Sequence, residues 1–128
     1  MTRHVSADDI ASILRRGREV EALCGAGTRQ GTLRWVSLRT QKDAQVRATV
    51  FEVVLPGDLE LLDVYEFEPA PGTNPEGVLE QRTFSQTDEA IAYLSSSWGV
   101  DSSRFVNAGV VQDEYYDYAR SLVGKTPQ

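Results

Sequence analysis

Histidine and cysteine are almost missing from this chain. His4 and Cys24 are the single examples of each in 128 residues. One cysteine excludes an internal disulfide and any zinc site built from several cysteines. One histidine excludes a metal centre built on a histidine cluster. Nucleophilic catalysis is poorly supplied for the same reason. Ser95, Ser96 and Ser97 form a serine run, but a Ser-His-Asp arrangement needs its imidazole fixed against both partners. His4 lies near the N-terminus, where chains commonly fray. Cys24 alternates with Val20 and Ala22, which reads as a small core residue rather than a nucleophile.

Long apolar runs are also absent. None approaches the roughly 18 residues that span a bilayer, and "MTRHVSADDIASILRRG" lacks the continuous apolar segment and small-residue cleavage site of a secretory signal. A cytoplasmic protein with no membrane association is the simplest reading. No EF-hand spacing appears, and neither a metal nor a cofactor is expected from any motif.

What the chain does have is acid, unevenly spread. The formal charge is −6. Residues 1–55 hold nine basic and six acidic side chains, whereas residues 56–128 hold four basic and thirteen acidic. The second segment repels phosphate backbones, so no nucleic-acid partner is expected. The arginines of the first segment (Arg15, Arg16, Arg18, Arg29, Arg34, Arg39 and Arg47) read as a solvated face.

The pattern of the remainder specifies a single domain over residues 1–128, a length sufficient to bury a core. "SADDIASILRRG" is a helix with Ser6 as cap, Asp9 three positions later, an Ile10–Ile13–Leu14 stripe and Gly17 as its stop. "EVEALC", "TLRWVSL" and "QVRATVFEVVL" read as strands. The second puts Leu33 and Trp35 on one face and Val36 and Leu38 on the other. The third is apolar enough to be covered on both sides for part of its length. After the turn Pro56-Gly57-Asp58, "LELLDVYEFE" is expected to return as a fourth strand of an antiparallel meander.

"PAPGTNPEG", Pro69 to Gly77, is a surface loop, and "VLEQRTF" a short strand. "SQTDEAIAYLSSSWG" is a helix capped by Ser85 and stopped by Gly99, and "RFVNAGVV" a last strand. "QDEYYDYARSLVG" closes the chain as a helix capped by Asp113, with Tyr115, Tyr118, Ala119 and Leu122 on its inner face. The fold class is therefore α+β. A largely antiparallel sheet of four to six strands carries an N-terminal helix and two C-terminal helices, packed as a single layer.

Two motifs invite functional readings. The glycine-rich "CGAGTRQGT" lacks the following helix and the Gly-Lys-Ser/Thr of a phosphate loop, so it reads as a hairpin loop. The "DEYYDY" stretch, Asp113 to Tyr118, is largely explained by capping and packing. Tyr116 on its acidic side is not. Exposed tyrosine among acids is the composition of a surface for a basic partner. Glu114, Tyr116 and Asp117, with Glu66 and Glu68 expected on one face of a strand, are the candidate partner-binding residues.

The function this favours is a non-enzymatic protein-binding module, a small acidic neutralising partner of the immunity-protein or antitoxin kind that blocks a basic toxin or enzyme. Two alternatives stand beside it. A secretion chaperone or adaptor would show an apolar groove or a dimer interface. An enzyme or small-molecule binder using carboxylates or tyrosines would show a pocket holding an acid of raised pKa.

Overall fold

The N-terminal helix forms as its capping pattern requires. In the computed structural model, which describes residues 3–56 and 63–124 and the side chains of the last helix up to position 121, helix α1 runs Ala7–Arg15. The Ser6 side chain accepts from the Asp9 N–H at 3.3 Å. Asp8 and Asp9 sit at its positive end and Arg15 in its last turn, the arrangement that favours the helix dipole. Ile10, Ile13 and Leu14 are its buried face.

Strands β1 (Val20–Ala26), β2 (Thr32–Thr40), β3 (Val46–Val54) and β4 (Val78–Phe84) make an antiparallel meander. Helix α2 (Thr87–Trp98) then carries the chain to the opposite edge. There β5 (Val106–Asn107) pairs antiparallel with β1, giving the order β4-β3-β2-β1-β5. Helix α3 (Val111–Gly124) follows. The α+β class, the five-stranded antiparallel sheet, and the one N-terminal and two C-terminal helices match the expectation.

The helices, however, divide between the two faces of the sheet, where one layer was expected. The reason lies in β2 and β3, which are apolar on both sides. Val20, Ala22, Val36, Leu38, Val46, Ala48 and Val50 pack under α1 and α2. Leu33, Trp35 and Val53 pack with Val64, Phe67, Val111, Tyr115 and Ala119, so α3 and the segment around residue 65 cover the reverse face. A strand with two apolar faces needs two covers.

Four boundaries differ from the sequence reading. Val64–Glu66 is a 3₁₀ turn rather than a strand, with the Asp63 carboxylate accepting from the Tyr65 N–H at 3.1 Å. That local bond competes with sheet pairing. Positions 57–62, which include most of the expected turn and the start of the expected strand, lie outside the described residues. The fourth strand of the meander is instead Val78–Phe84. The loop before it docks on the end of β3, where the Val54 N–H donates to the Glu68 carbonyl and Pro69 bridges Val53. The last strand is shortened by Gly109, whose φ of 93° turns the chain so that α3 begins at Val111. Asp113 therefore lies in the first turn and not at the cap. In α2 the cap position falls on Gln86, and the Ser85 hydroxyl donates to the Glu89 carboxylate at 2.6 Å. Gly99 closes that helix in the left-handed conformation, as expected.

The glycine-rich segment is the hairpin loop between β1 and β2, and its order comes from a carboxylate beneath it. Glu52, 1% exposed on β3, accepts from the Thr28 N–H at 2.9 Å, from the Thr28 hydroxyl, and from Arg34 at 3.3 Å. Burial pushes its pKa up, but the Thr28 and Arg34 bonds outweigh that and hold it below the usual carboxylate value. Arg34 is thus not part of a solvated face. Its guanidinium lies 4.8 Å from the Trp98 ring centroid. Gly27 passes directly over this group, and a Cβ there would come within 2.7 Å of the Glu52 carboxyl carbon. Gly27→Ala is expected to destabilise the fold by about 1–3 kcal/mol through overpacking. Urea denaturation checks this, and a parent-like midpoint would contradict it.

Candidate functional site

The five residues singled out from the sequence separate into two groups. Glu114 is 4% exposed and faces inward at the start of α3, contrary to the expectation that it lies on the open side. The N-terminal segment explains why. His4 forms a bridge with Val106, and the Val5 N–H donates to the Phe105 carbonyl at 2.8 Å. This extends the sheet edge and lays Arg3 and His4 against α3. Arg3 Nη1 then donates to Glu114 Oε2 at 2.7 Å, His4 Nε2 lies 2.8 Å from Oε1, and Arg104 Nη2 donates to Oε1 at 3.3 Å. Burial raises the Glu114 pKa, but the bonds from His4 and Arg3 and the Arg104 charge outweigh it, and the net shift is downward. The terminus is not frayed at His4. It is tied down by a carboxylate.

The other four remain on the surface. Asp117 accepts from the same Arg3 Nη1 at 2.8 Å while its side chain stays 60% exposed. Tyr116 is 37% exposed, with the Arg120 guanidinium 5.4 Å from its ring centroid. Glu66 and Glu68 are exposed, one in the 3₁₀ turn and the other just after it. They do not share a strand face, yet the fold brings their segment to α3. Phe67 and Tyr115 meet edge to face at 5.1 Å, both buried. The turn and the first half of α3 thus form one surface, on which Asp63, Glu66, Glu68, Asp113 and Asp117 are exposed. Leu122, expected on the inner face of α3, lies outside the described side chains.

Beside this surface is a feature the sequence reading missed. A cavity of about 280 Å³ opens on the same side of the sheet, lined among others by Glu19, Glu21, Trp35, Phe51, Tyr65 and Glu76. Its floor is the Trp35–Phe51 pair, stacked at 4.0 Å with 12° between planes, and Tyr65 meets Trp35 edge-on at 5.4 Å. Glu21 is 2% exposed. The Tyr65 hydroxyl donates to its two oxygens at 2.7 and 2.9 Å, and the Gly109 N–H donates to Oε1 at 3.0 Å. Burial pushes the Glu21 pKa up, the two hydrogen bonds offset this only in part, and nearby Glu19 adds to the rise. The Tyr65 hydroxyl is pushed up as well, by burial and by its carboxylate partner.

The signal for Glu21 was present but unused. β1 alternates, so Glu21 falls on the face opposite Val20 and Ala22, the face that carries Trp35 on β2. Its cross-strand partner is Ser37. Once Leu33 and Trp35 require a cover on that face, Glu21 must lie under the edge of it. Tyr65 carries no comparable signal, because nothing local shows where a turn residue's hydroxyl will reach.

The chain matches no family model, no curated protein and no solved structure. Its function must be read from its own groups. Among the described residues, no three His, Cys, Asp or Glu side chains gather as a metal-holding group, and no helix is long and apolar enough to cross a membrane. Cys24 packs against the core, and burial pushes its thiol up to about 11, the opposite of an activated nucleophile.

Because the Glu114 pKa is depressed in the fold, its ionised form stabilises the native state above the ordinary carboxylate pKa. That contribution is lost as pH falls through the lower folded value. Glu114→Gln should therefore cost about 1–3 kcal/mol at pH 7, with the gap to the parent closing in acid. Denaturant melts of both proteins across pH 3–7 (roughly the carboxylate range) check this. A pH-independent gap would show that the carboxylate charge is not what holds the N-terminal segment.

Proposed function

We propose that this chain is a non-enzymatic protein-binding module, a small acidic neutralising partner of the immunity-protein or antitoxin kind. In this reading it presents the surface formed by the 3₁₀ turn and α3 to a basic protein and blocks it. One observation carries the proposal. The large hydrophobic side chains exposed among the described residues are Tyr65, at 46%, and Tyr116, at 37%. Both belong to the two segments joined by Phe67 and Tyr115, and both have exposed acids beside them in the chain, Asp63 and Glu66 in one case and Asp113 and Asp117 in the other. Amphipathic rings surrounded by one sign of charge suit a desolvated anchor within an electrostatic steering field.

The chaperone alternative calls for an extended apolar groove. Two tyrosines set among acids do not make one, whereas the mark of the small-molecule alternative, a pocket holding an acid of raised pKa, is present at Glu21. A cytoplasmic setting and the exclusion of nucleic acid belong to the same proposal, since displayed carboxylates repel phosphate.

The substitutions that test it must avoid Glu114, because reversing that buried charge would release the N-terminal segment and confuse unfolding with lost binding. Glu66→Lys combined with Asp117→Lys alters exposed positions only. With the basic protein recovered from the native cell by the tagged chain, the double variant should associate about tenfold more slowly at low salt. The parent's on-rate should fall as salt is raised. Equal on-rates for parent and variant at low salt would remove the reading, provided both give the same far-UV circular dichroism.

A further inference from the structure

We infer that the cavity bordered by Glu21, Trp35 and Tyr65 is a binding site for a guanidinium group, with Glu21 as its counter-charge and the aromatic rings as its walls. This inference goes beyond the acidic-surface reading and does not depend on it.

The geometry supplies three reasons. The first is an unmet charge. Among the described residues no lysine or arginine lines the cavity, and none comes within ion-pair distance of Glu21 or Glu76. The other two glutamates buried to a similar degree are each paired with arginine, Glu52 with Arg34 and Glu114 with Arg3 and Arg104. Among the described residues Glu21 alone of the three lacks a cation. Glu76 adds negative charge at the cavity, while Glu19 is paired with Arg39 at 3.6 Å, so the unmet charge is that of Glu21 itself. Buried carboxylates without a cationic partner are costly, and a ligand that brings the charge removes that cost.

The second reason is open acceptor capacity. A carboxylate has about four acceptor positions. The Tyr65 hydroxyl bridges both oxygens, and the Gly109 N–H takes a further place on Oε1. Oε2 takes part in one of these bonds only and so keeps an acceptor position that they do not use.

The third reason is the wall. Trp35, Phe51 and Tyr65 border the same space. A guanidinium is planar and more weakly hydrated than an ammonium, and it stacks on aromatic rings while donating from its edge. The volume of about 280 Å³ falls below the roughly 300–1,000 Å³ of sites for drug-sized molecules, so it suits one side-chain-sized head rather than a whole cofactor. Trp35 also keeps its buried indole N–H without an acceptor, and that proton gives a reporter within the wall.

The guanidinium could be presented by an arginine of another protein or belong to a free small cation, and two probes separate these sources. Acetyl-arginine-amide and agmatine are each titrated into the ¹⁵N-labelled full chain at pH 7 and low salt, following the Trp35 indole and Gly109 amide resonances. Acetyl-citrulline-amide, neutral and nearly isosteric, is the control. Saturable shifts of both resonances with a guanidinium probe, absent with citrulline and weakened at least tenfold in Glu21→Gln, are expected. Tighter binding of the arginine amide assigns the site to a presented side chain and tighter binding of agmatine to a free cation; either upholds the site. Citrulline binding as well as arginine would overturn it, as would shifts that persist undiminished in Glu21→Gln. If that variant does not fold, the citrulline comparison on the parent still decides. Failure here leaves the on-rate test of the exposed acids untouched, since Glu66 and Asp117 are not part of the cavity wall.

Discussion

Three submerged carboxylates organise this fold. Glu21, Glu52 and Glu114 are 2%, 1% and 4% exposed, and each reaches a segment far away in the chain. Glu52 ties the β1–β2 loop down onto β3 through Thr28 and Arg34. Glu21 joins the 3₁₀ turn to the Gly109 turn that launches α3. Glu114 holds the N-terminal segment and Arg104 against α3. Apolar burial supplies the driving force, but it is non-directional. These glutamates determine where the irregular segments come to rest, because a buried carboxylate must find its donors or the structure around it fails.

The same constraint sorts the acids into those used inside and those shown outside. A net charge of −6 says nothing about this division. Glu114 is removed from display by the N-terminal segment, and Arg3, which bonds both Glu114 and Asp117, partly neutralises what remains on α3. Tyr116, in contrast, stays outside beside Arg120. Half of the expected acidic helix face is thus internal scaffolding, and the displayed part is completed from an unexpected source, the turn that carries Tyr65 and Glu66.

How much of this could be read from residues alone follows from how local each determinant is. The Ser6 cap, the Gly99 stop and the Ile10–Ile13–Leu14 stripe are settled within one or two turns of chain, and all three were legible. So were the two-faced strands, since Leu33 and Trp35 alternate against Val36 and Leu38. The second helical layer was implied by that alternation, although only the packing of α3 shows which element supplies it. The segment around Tyr65 was misread as a strand because "DVYEFE" has strand-like residues, while the Asp63 bond to the Tyr65 N–H is a local competitor that residue type does not weigh. Glu114 was misplaced for a different reason. Its position on the helix is equivocal, and its burial depends on Arg3 and His4, more than a hundred residues away. The cavity was the least legible feature, since it joins β1, β2, β3 and two loops.

The central claim, that three buried glutamates are held by different partners and so differ in proton affinity, is open to one direct measurement. Site-resolved ¹³C-carboxyl NMR titration of the native protein reports each glutamate separately. Glu52 and Glu114, each bonded to arginine, should titrate below the ordinary glutamate value, and Glu21, buried with no cation beside it among the described residues, above it. If the three titrate together near the value of a solvated glutamate, they are not sealed into the interior and the organisation described here is wrong.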